Sequence, residues 1–240
     1  MNSVENSIEN SAEKTPHLSI VITVLNEAAA LAHHLTALTS LGSQGIEIIV
    51  VDGGSVDASV RIAQPLASRV ITSLPGRARQ MNLGAQYASA PALLFLHADT
   101  HLPPDALKLI TQTLVQHPWG RFAIRLEGKS RWLPLISAMI NLRSRLSGIA
   151  TGDQALFMRR DVFDTVEGFP EQPLMEDIEI TKRLKRLARP ACLRAHVISS
   201  GRRWDQHGVW RTILLMWRLR YRYWRGVSAD ELAKAYRHVR

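Results

Sequence analysis

Four places in this 240-residue chain put ionisable groups where a ligand could be handled. Asp99 closes the apolar run Leu93-Leu94-Phe95-Leu96 inside the polar knot His97-Ala98-Asp99-Thr100-His101. A lone carboxylate there can hold a divalent cation, because hard oxygen ligands suit Mg2+ or Mn2+ and a cation bridging phosphates needs few protein ligands. Asp52 opens the turn Asp52-Gly53-Gly54-Ser55-Val56-Asp57. Its glycines let a ligand approach the backbone closely, and its carboxylate can accept hydrogen bonds from a ribose or a base edge. Gly76-Arg77-Ala78-Arg79 offers cations and free backbone N–H groups at a helix start, a combination suited to phosphate. Glu176-Asp177 is a carboxylate pair from which either member could serve as a general base within reach of a hydroxyl. Adjacent helical residues point about 100° apart, so one of the two should face the site. Each place also has an ordinary structural reading. Asp57 serves as a helix cap, loop arginines are solvated, and acids in a first helical turn stabilise by only about 0.3–1 kcal/mol each.

The elements that must position these groups follow from hydrophobic patterning. Leu18–Leu25, Ile46–Val51, Arg69–Thr72 and Leu93–His97 read as strands alternating with helices. Such alternation implies an α/β fold with a mostly parallel sheet, and ligands of such sheets bind beyond the carboxyl ends of the strands. Leu25, Asn26, Glu27, Asp52 and Asp99 therefore gather along one edge. Asn26 is the expected N-cap of a helix running to about Leu41, Gly42 and Gly45 break the chain, and Asp57 starts the next helix. After Trp119 the pattern mixes. It gives a strand at Phe122–Leu126, a helix at Trp132–Leu146 and a strand at Gln154–Met158. A helix at Glu176–Leu187, a strand at Leu193–Ser199 and a helix at Val209–Arg225 follow. The expected organisation is a disordered tail over 1–16 and a domain over 17–205. That domain splits into a nucleotide-binding half at about 17–118 and an acceptor half at about 119–205. A basic helical extension over 206–240 completes the chain.

The formal charge of +9 is local. Arg202–Arg240 holds ten Lys/Arg against three Asp/Glu, and Arg121–Leu146 six against one. Local basicity calls for an anionic partner, namely a phosphate-bearing substrate, a membrane surface or nucleic acid. Cys192 is the sole cysteine, which rules out an intrachain disulfide and suits a reducing compartment. No run approaches the ~20 apolar residues of a membrane span. The expectation is a cytoplasmic protein, with peripheral attachment to the inner face of the membrane left open.

Taken together, these residues resemble family 2 glycosyltransferases of the GT-A fold. The resemblance covers about Leu18 to Trp204. It rests on Val24-Leu25-Asn26-Glu27, the Asp52 to Asp57 turn, the Gly76 to Gly84 loop and His97-Ala98-Asp99. Gly152-Asp153-Gln154, Met175-Glu176-Asp177 and Arg202-Arg203-Trp204 complete it. The resemblance implies that Leu25, Asn26, Glu27, Asp52, Gly53 and Gly54 surround the donor nucleotide, with Arg77, Gln80, His97 and Ala98 also on the donor. It implies Asp99 as metal ligand on the diphosphate, with His207 as a further ligand, and Asp177 as base with Glu176 beside it. Gly152, Asp153, Gln154, Arg203 and Trp204 would line the diphosphate and the acceptor. The donor would be a UDP- or GDP-sugar, the cofactor Mg2+ or Mn2+, and the acceptor a hydroxyl compound, with a lipid or amphiphile as one class. Nucleic acid is not implied. The sequence departs from the family at His97, where the motif usually begins with Asp. The His97-Ala98-Asp99-Thr100 form resembles a small bacterial subgroup.

In the last helix Trp210, Ile213, Leu214, Trp217, Tyr221 and Trp224 share one face, with Arg211, Arg218, Arg222 and Arg225 beside it. Two readings stand: the aromatic face lies at a membrane interface, or it packs on the domain, which most such stripes do. Two other function classes explain less. A nucleotidyltransferase should carry a Gly-rich basic loop where Asn26-Glu27 stands. A non-catalytic membrane- or nucleic-acid-binding module gives no reason for Asp52, Asp99 and Asp177 at separate element ends.

Overall fold

A computed structural model describes residues 16–40 and 45–237. The expected tail up to residue 15, the helix end at Leu41 and the break at Gly42 lie outside them. The first half alternates as expected: β1 (Leu18–Val24), α1 (Ala28–Ser40), β2 (Ile46–Asp52), α2 (Ser59–Ala63), β3 (Arg69–Thr72), α3 (Arg77–Tyr87) and β4 (Ala92–His97). Then follow β5 (Thr100–His101), α4 (Ala106–Gln116), β6 (Trp119–Glu127) and α5 (Leu133–Ser147). A 3-10 turn (Gly152–Gln154), β7 (Leu156–Arg159), α6 (Arg160–Thr165), α7 (Glu176–Leu187) and β8 (Ala191–Ser200) come next. The chain ends in α8 (Arg202–His207), α9 (Val209–Trp224) and α10 (Ala229–Arg237).

The strands form one eight-stranded sheet in the order β3-β2-β1-β4-β7-β6-β8-β5. The β3-β2-β1-β4 part is parallel throughout. Its strands are unbroken apolar runs because both faces are covered. Ile20, Ile22, Val50 and Leu94 enter one apolar cluster, whereas Val21, Ile49, Val51 and Phe95 enter another on the opposite face. Helix α3 lies so close to β1 and β2 that a Cβ on Gly84 would stand 2.3 Å from a methyl of Val21. β7 inserts antiparallel between β4 and β6. The guanidinium of Arg160 locks its far end by donating to the carbonyls of Ala85, Ala88 and Ala90.

β5 leaves β4 after two residues yet pairs with β8 at the opposite edge of the sheet. The sheet therefore curls, and its far edge returns to the end of β4. A third apolar cluster joins Met175 and Ile178, at the start of α7, to Leu219 of α9 and Leu232 of α10. No described helix is long and apolar enough to cross a membrane.

Candidate functional site

The ends of β1 and β2 are built by side chains that bond backbone. The Asp52 carboxylate is 2% exposed, and its Oδ2 accepts from the N–H groups of Gly54 and Ser55, both at 2.9 Å. Its Oδ1 is buried with no partner, so one acceptor remains for a ligand donor. The amide nitrogen of buried Gln80 donates to the carbonyls of Val24 (3.0 Å) and Val51 (2.8 Å). Gln80 thus ties the two strand ends together, and Gly53 packs directly on its amide. Gly54 takes φ +93°, and Leu25 is half exposed above this floor.

The expected cap of α1 is corrected here. Asn26 lies in the left-handed region at φ 57°, and its Oδ1 accepts from the N–H of Val56. The free helix-start N–H groups are satisfied from the next loop instead. Asp57 Oδ2 accepts from Ala28 N at 3.0 Å, and Ser59 Oγ accepts from Glu27 N at 2.9 Å. The expected strand at Gln154 is also corrected. The buried Gln154 belongs to the 3-10 turn, and its Oε1 accepts from Thr151 N.

Across the edge, three separate segments meet. His97, at the end of β4, contacts Asp153 of the 3-10 turn, Nδ1 to Oδ1 at 3.0 Å, and Gly152 packs against its ring. The Gly152 N–H donates to Asp177 Oδ2 at 3.0 Å, while Asp177 Oδ1 accepts from Ile178 N at 2.7 Å. This brings β4, the β7 turn and the first turn of α7 to one point. Crowding works against ionisation of Asp153. His97, and then the guanidinium groups of Arg77 and Arg203, outweigh it and hold its carboxyl below the ordinary range. Glu176 goes the other way: burial and the neighbouring Asp177 push its carboxyl up, against the pull of Arg77. Arg77 also stands within electrostatic reach of Asp177 and Tyr236.

Asp99 and Ala98 form the corner between β4 and β5. The half-buried Asp99 carboxylate has no partner among the described residues, and neither has the His207 imidazole at the end of α8. No group of three or more metal-ligating side chains occurs among the described residues. A free strand-end carboxylate suits a hard divalent cation whose remaining ligands are phosphate and water.

α8 closes the edge. Arg202 reaches Glu27 at 3.6 Å, and Arg203 stacks over the Tyr236 ring of α10 at 5.3 Å. Trp204 packs partly buried on the main core, so within the Arg203-Trp204 pair the tryptophan anchors and the arginine faces the carboxylates. Sequence reasoning missed Tyr236, Arg143 and Arg220, all of which stand among these charges. Regular helical patterning offered no signal for any of them.

The tilt toward a packed aromatic face is corrected as well. Trp210, Leu214, Trp217, Tyr221 and Trp224 are each more than half exposed. α9 packs instead through Thr212, Leu215, Met216, Leu219 and Tyr223. At the start of α5 and along it, Trp132, Leu135, Met139, Leu142 and Leu146 are also exposed, and Trp132 meets Trp210 at a ring separation of 6.0 Å.

Residues 19–166 match the family model described as glycosyl transferase family 2. A PGL/p-HBAD biosynthesis glycosyltransferase of Mycobacterium bovis is 30% identical over 164 residues, covering 63% of this chain and 62% of its own length. An undecaprenyl-phosphate 4-deoxy-4-formamido-L-arabinose transferase of Pseudomonas aeruginosa is 28% identical over 156 residues, covering 59% of this chain and 46% of its own. The matched part thus spans less than two thirds of either relative. Among solved structures, a mannosyltransferase of Pyrobaculum calidifontis in complex with GDP-Man and Mn2+ superposes with a TM-score of 0.64 at 15% identity. That superposition covers 86% of this chain and 61% of the other. Glucosyl-3-phosphoglycerate synthase of Mycobacterium tuberculosis, in complex with Mg2+ and UDP, gives 0.58 at 18% identity over 77% and 70% of the two chains.

Proposed function

Because this chain belongs to glycosyltransferase family 2 and has the GT-A architecture, we propose that it moves a sugar from a UDP- or GDP-sugar to an acceptor hydroxyl with inversion. The observation that carries the reading is the meeting of His97, Asp153, Gly152 and Asp177 beside the Asp52 and Asp99 strand ends. In the proposed reaction the acceptor hydroxyl gives its proton to Asp177 as its oxygen attacks the anomeric carbon. The bond from that carbon to the diphosphate breaks, and its electron pair leaves with the nucleoside diphosphate. One displacement on the face opposite the leaving group inverts the centre. Hydrogen bonds from Gly152 and Ile178 fix the orientation of the base. Arg77 and Arg203 face the charge that develops. Asp52 offers its free oxygen to the nucleoside. Asp99, with His207, would hold Mg2+ or Mn2+, which supplies charge neutralisation of the diphosphate.

The exposed aromatic faces of α5 and α9, rimmed by Arg211, Arg218, Arg222 and Arg225, support an amphiphilic acceptor taken from an anionic membrane surface. On this reading the protein works as a peripheral protein on the cytoplasmic side of the membrane. Sedimentation with phosphatidylglycerol vesicles should carry wild type down, and a Trp217→Ser/Trp224→Ser double variant should stay in solution. Equal partitioning of both would remove the membrane part of the reading.

The central test is calorimetric titration of UDP, GDP and other nucleoside diphosphates with and without Mn2+, on wild type and Asp99→Ala. Metal-dependent binding of one nucleotide, lost in the variant, is expected. No binding of any nucleotide in the presence of Mn2+ would overturn the reading.

A further inference from the structure

Two arginines beside the catalytic carboxylates have no use in that reaction. Arg143 projects from α5, and its Nε and Nη2 atoms are buried without a hydrogen-bond partner. Arg220 comes from α9, is mostly buried, and forms no hydrogen bond or ion pair with any described residue. The two repel each other, and both feel Asp177; Arg220 also feels Asp153. Asp177 does not neutralise them by contact, because its two oxygens accept from the backbone of Gly152 and Ile178. Paired like charges with unsatisfied donors are costly inside a protein. Evolution tolerates such an arrangement where an anion completes it, and a planar fork of donors matches the oxygens of phosphate. Burial lowers the Arg143 guanidinium to about 10, with Arg220 adding to that effect, so it still carries its charge at neutral pH.

They come from other elements than the donor cations, although Arg220 shares Asp153 with Arg77 and Arg203. Arg77 and Arg203 stand at Asp153, near the strand ends. Arg143 and Arg220 come from the two helices whose outer faces carry the exposed apolar stripes, with Leu142 next to one arginine and Tyr221 next to the other. Trp132 meets Trp210 near the helix starts, and Arg143 stands within electrostatic reach of Arg220 eleven and ten residues further on, so the two helices share the same sense. We propose that Arg143 and Arg220 form a subsite for a phosphate group carried by the acceptor, held beside Asp177 while its apolar chain follows the α5 and α9 stripe. The assignment to the acceptor rests on the glycosyl-transfer reading above. The phosphate site itself does not.

The test uses the full chain with octyl phosphate and octanol as probes, and with the nucleoside diphosphate plus Mn2+ as a separate arm. Wild type should bind octyl phosphate in calorimetry and show no comparable heat with octanol. Arg143→Gln and Arg220→Gln should each weaken octyl phosphate by roughly tenfold or more, the size expected for a charge-assisted hydrogen bond. Arg143→Lys and Arg220→Lys should restore part of it. Nucleotide affinity should be unchanged in all four. Arg143→Gln should melt no lower than wild type, because it removes an uncompensated buried charge; Arg220→Gln tests the same site from the other helix. Equal binding of octyl phosphate and octanol would overturn the subsite. A matching loss of nucleotide affinity in the Gln variants would assign the pair to the donor diphosphate and overturn the acceptor role. Absent nucleotide binding in wild type would defeat the glycosyl-transfer reading alone, since the phosphate-against-octanol comparison still decides the pair.

Discussion

The two sides of the site are built on opposite terms. At the β1 and β2 ends nearly every polar group is satisfied by backbone: Gln80 spans two carbonyls, Asp52 holds two N–H groups, and Asp57 and Ser59 cap α1. At the α5, α7 and α9 side the charges face one another unpaired, with Glu176 forced against Asp177 and Arg143 against Arg220. A satisfied floor is rigid before any ligand arrives, which suits a constant nucleotide. An unsatisfied wall gains most from a ligand that brings the missing charge. The difference teaches that the β1 and β2 ends are preformed, while the α5, α7 and α9 side stores electrostatic strain that a ligand of the missing charge would relieve. Backbone strain is distributed to match. Of the described non-glycine residues with positive φ, Asn26, Ala155 and Met175 each flank a site segment.

The comparison breaks most visibly at the base. Asp177→Asn should lower release of nucleoside diphosphate from the donor by about 10²–10⁴-fold, the usual range for loss of a general base, with nucleotide affinity retained. Wild-type turnover in that variant would remove Asp177 from the role. Next comes His34 on α1, which with Asp52 Oδ1 is an exception within the satisfied half. Both of its ring nitrogens are buried and unpartnered, and burial first, then His101 and His33, lower its pKa to about 4. A histidine depressed in the folded state stabilises fully above its ordinary pKa, and that contribution is lost as pH falls from about 6.5 toward 4. Chemical denaturation across that window should show a loss of up to roughly 3 kcal/mol in wild type, and His34→Leu should flatten it. Gln80→Leu should cost about 1–3 kcal/mol by removing the buried amide's hydrogen bonds to Val24 and Val51, and should weaken nucleotide binding as Gly53 shifts. Unchanged nucleotide affinity would show that the floor is not the donor platform.

A smaller effect tests the strained side. Glu176 titrates above its ordinary range, so its contribution to stability is complete at low pH and fades as pH rises through the elevated value. Glu176→Gln should therefore be more stable than wild type at pH 8 and nearly equal at pH 4, read by denaturant midpoints. Smallest of all, Trp217→Ser should change stability by less than about 0.5 kcal/mol, as exposed substitutions do, while reducing vesicle binding.

Much of the β1–β4 half could be read from residues alone, because strands buried on both faces are unbroken apolar runs and the polar residue that ends each run marks the edge of the sheet. Asp52 and Asp99 were visible on that ground. The cap of α1 was not, since Asp57 and Ser59 reach it from about thirty residues away and Asn26 has the composition of a cap without the conformation. Gln80 reads as a polar helix residue, and only the convergence of β1 and β2 makes it a strand tie. On α9, periodicity reveals faces but not which one the domain covers. Thr212, Leu219 and Tyr223 form the seam beneath a more conspicuous aromatic stripe. Arg143 and Arg220 stayed silent for a related reason, as a cation on a basic helix acquires meaning only from the charge opposite it.

The two-residue strand β5 has a consequence for how the molecule comes into being. Among the described strands its sheet partner is β8 alone, at the pairs Thr100 with Ser199 and His101 with Ile198. β8 leaves the ribosome long after β5, so the Asp99 corner stays unfastened until about a hundred further residues have been made. A nascent chain ending near residue 166, where the family match stops, would hold β1 to β4 and β7 in register with β6 left as an open edge. Open edges invite pairing with other chains, and late long-range closure is slow. The protein should accordingly assemble in two stages, an early parallel half and a late clasp. Pulse-labelled hydrogen exchange during refolding should find the amides of β1 and β2 protected before those of Thr100 and His101.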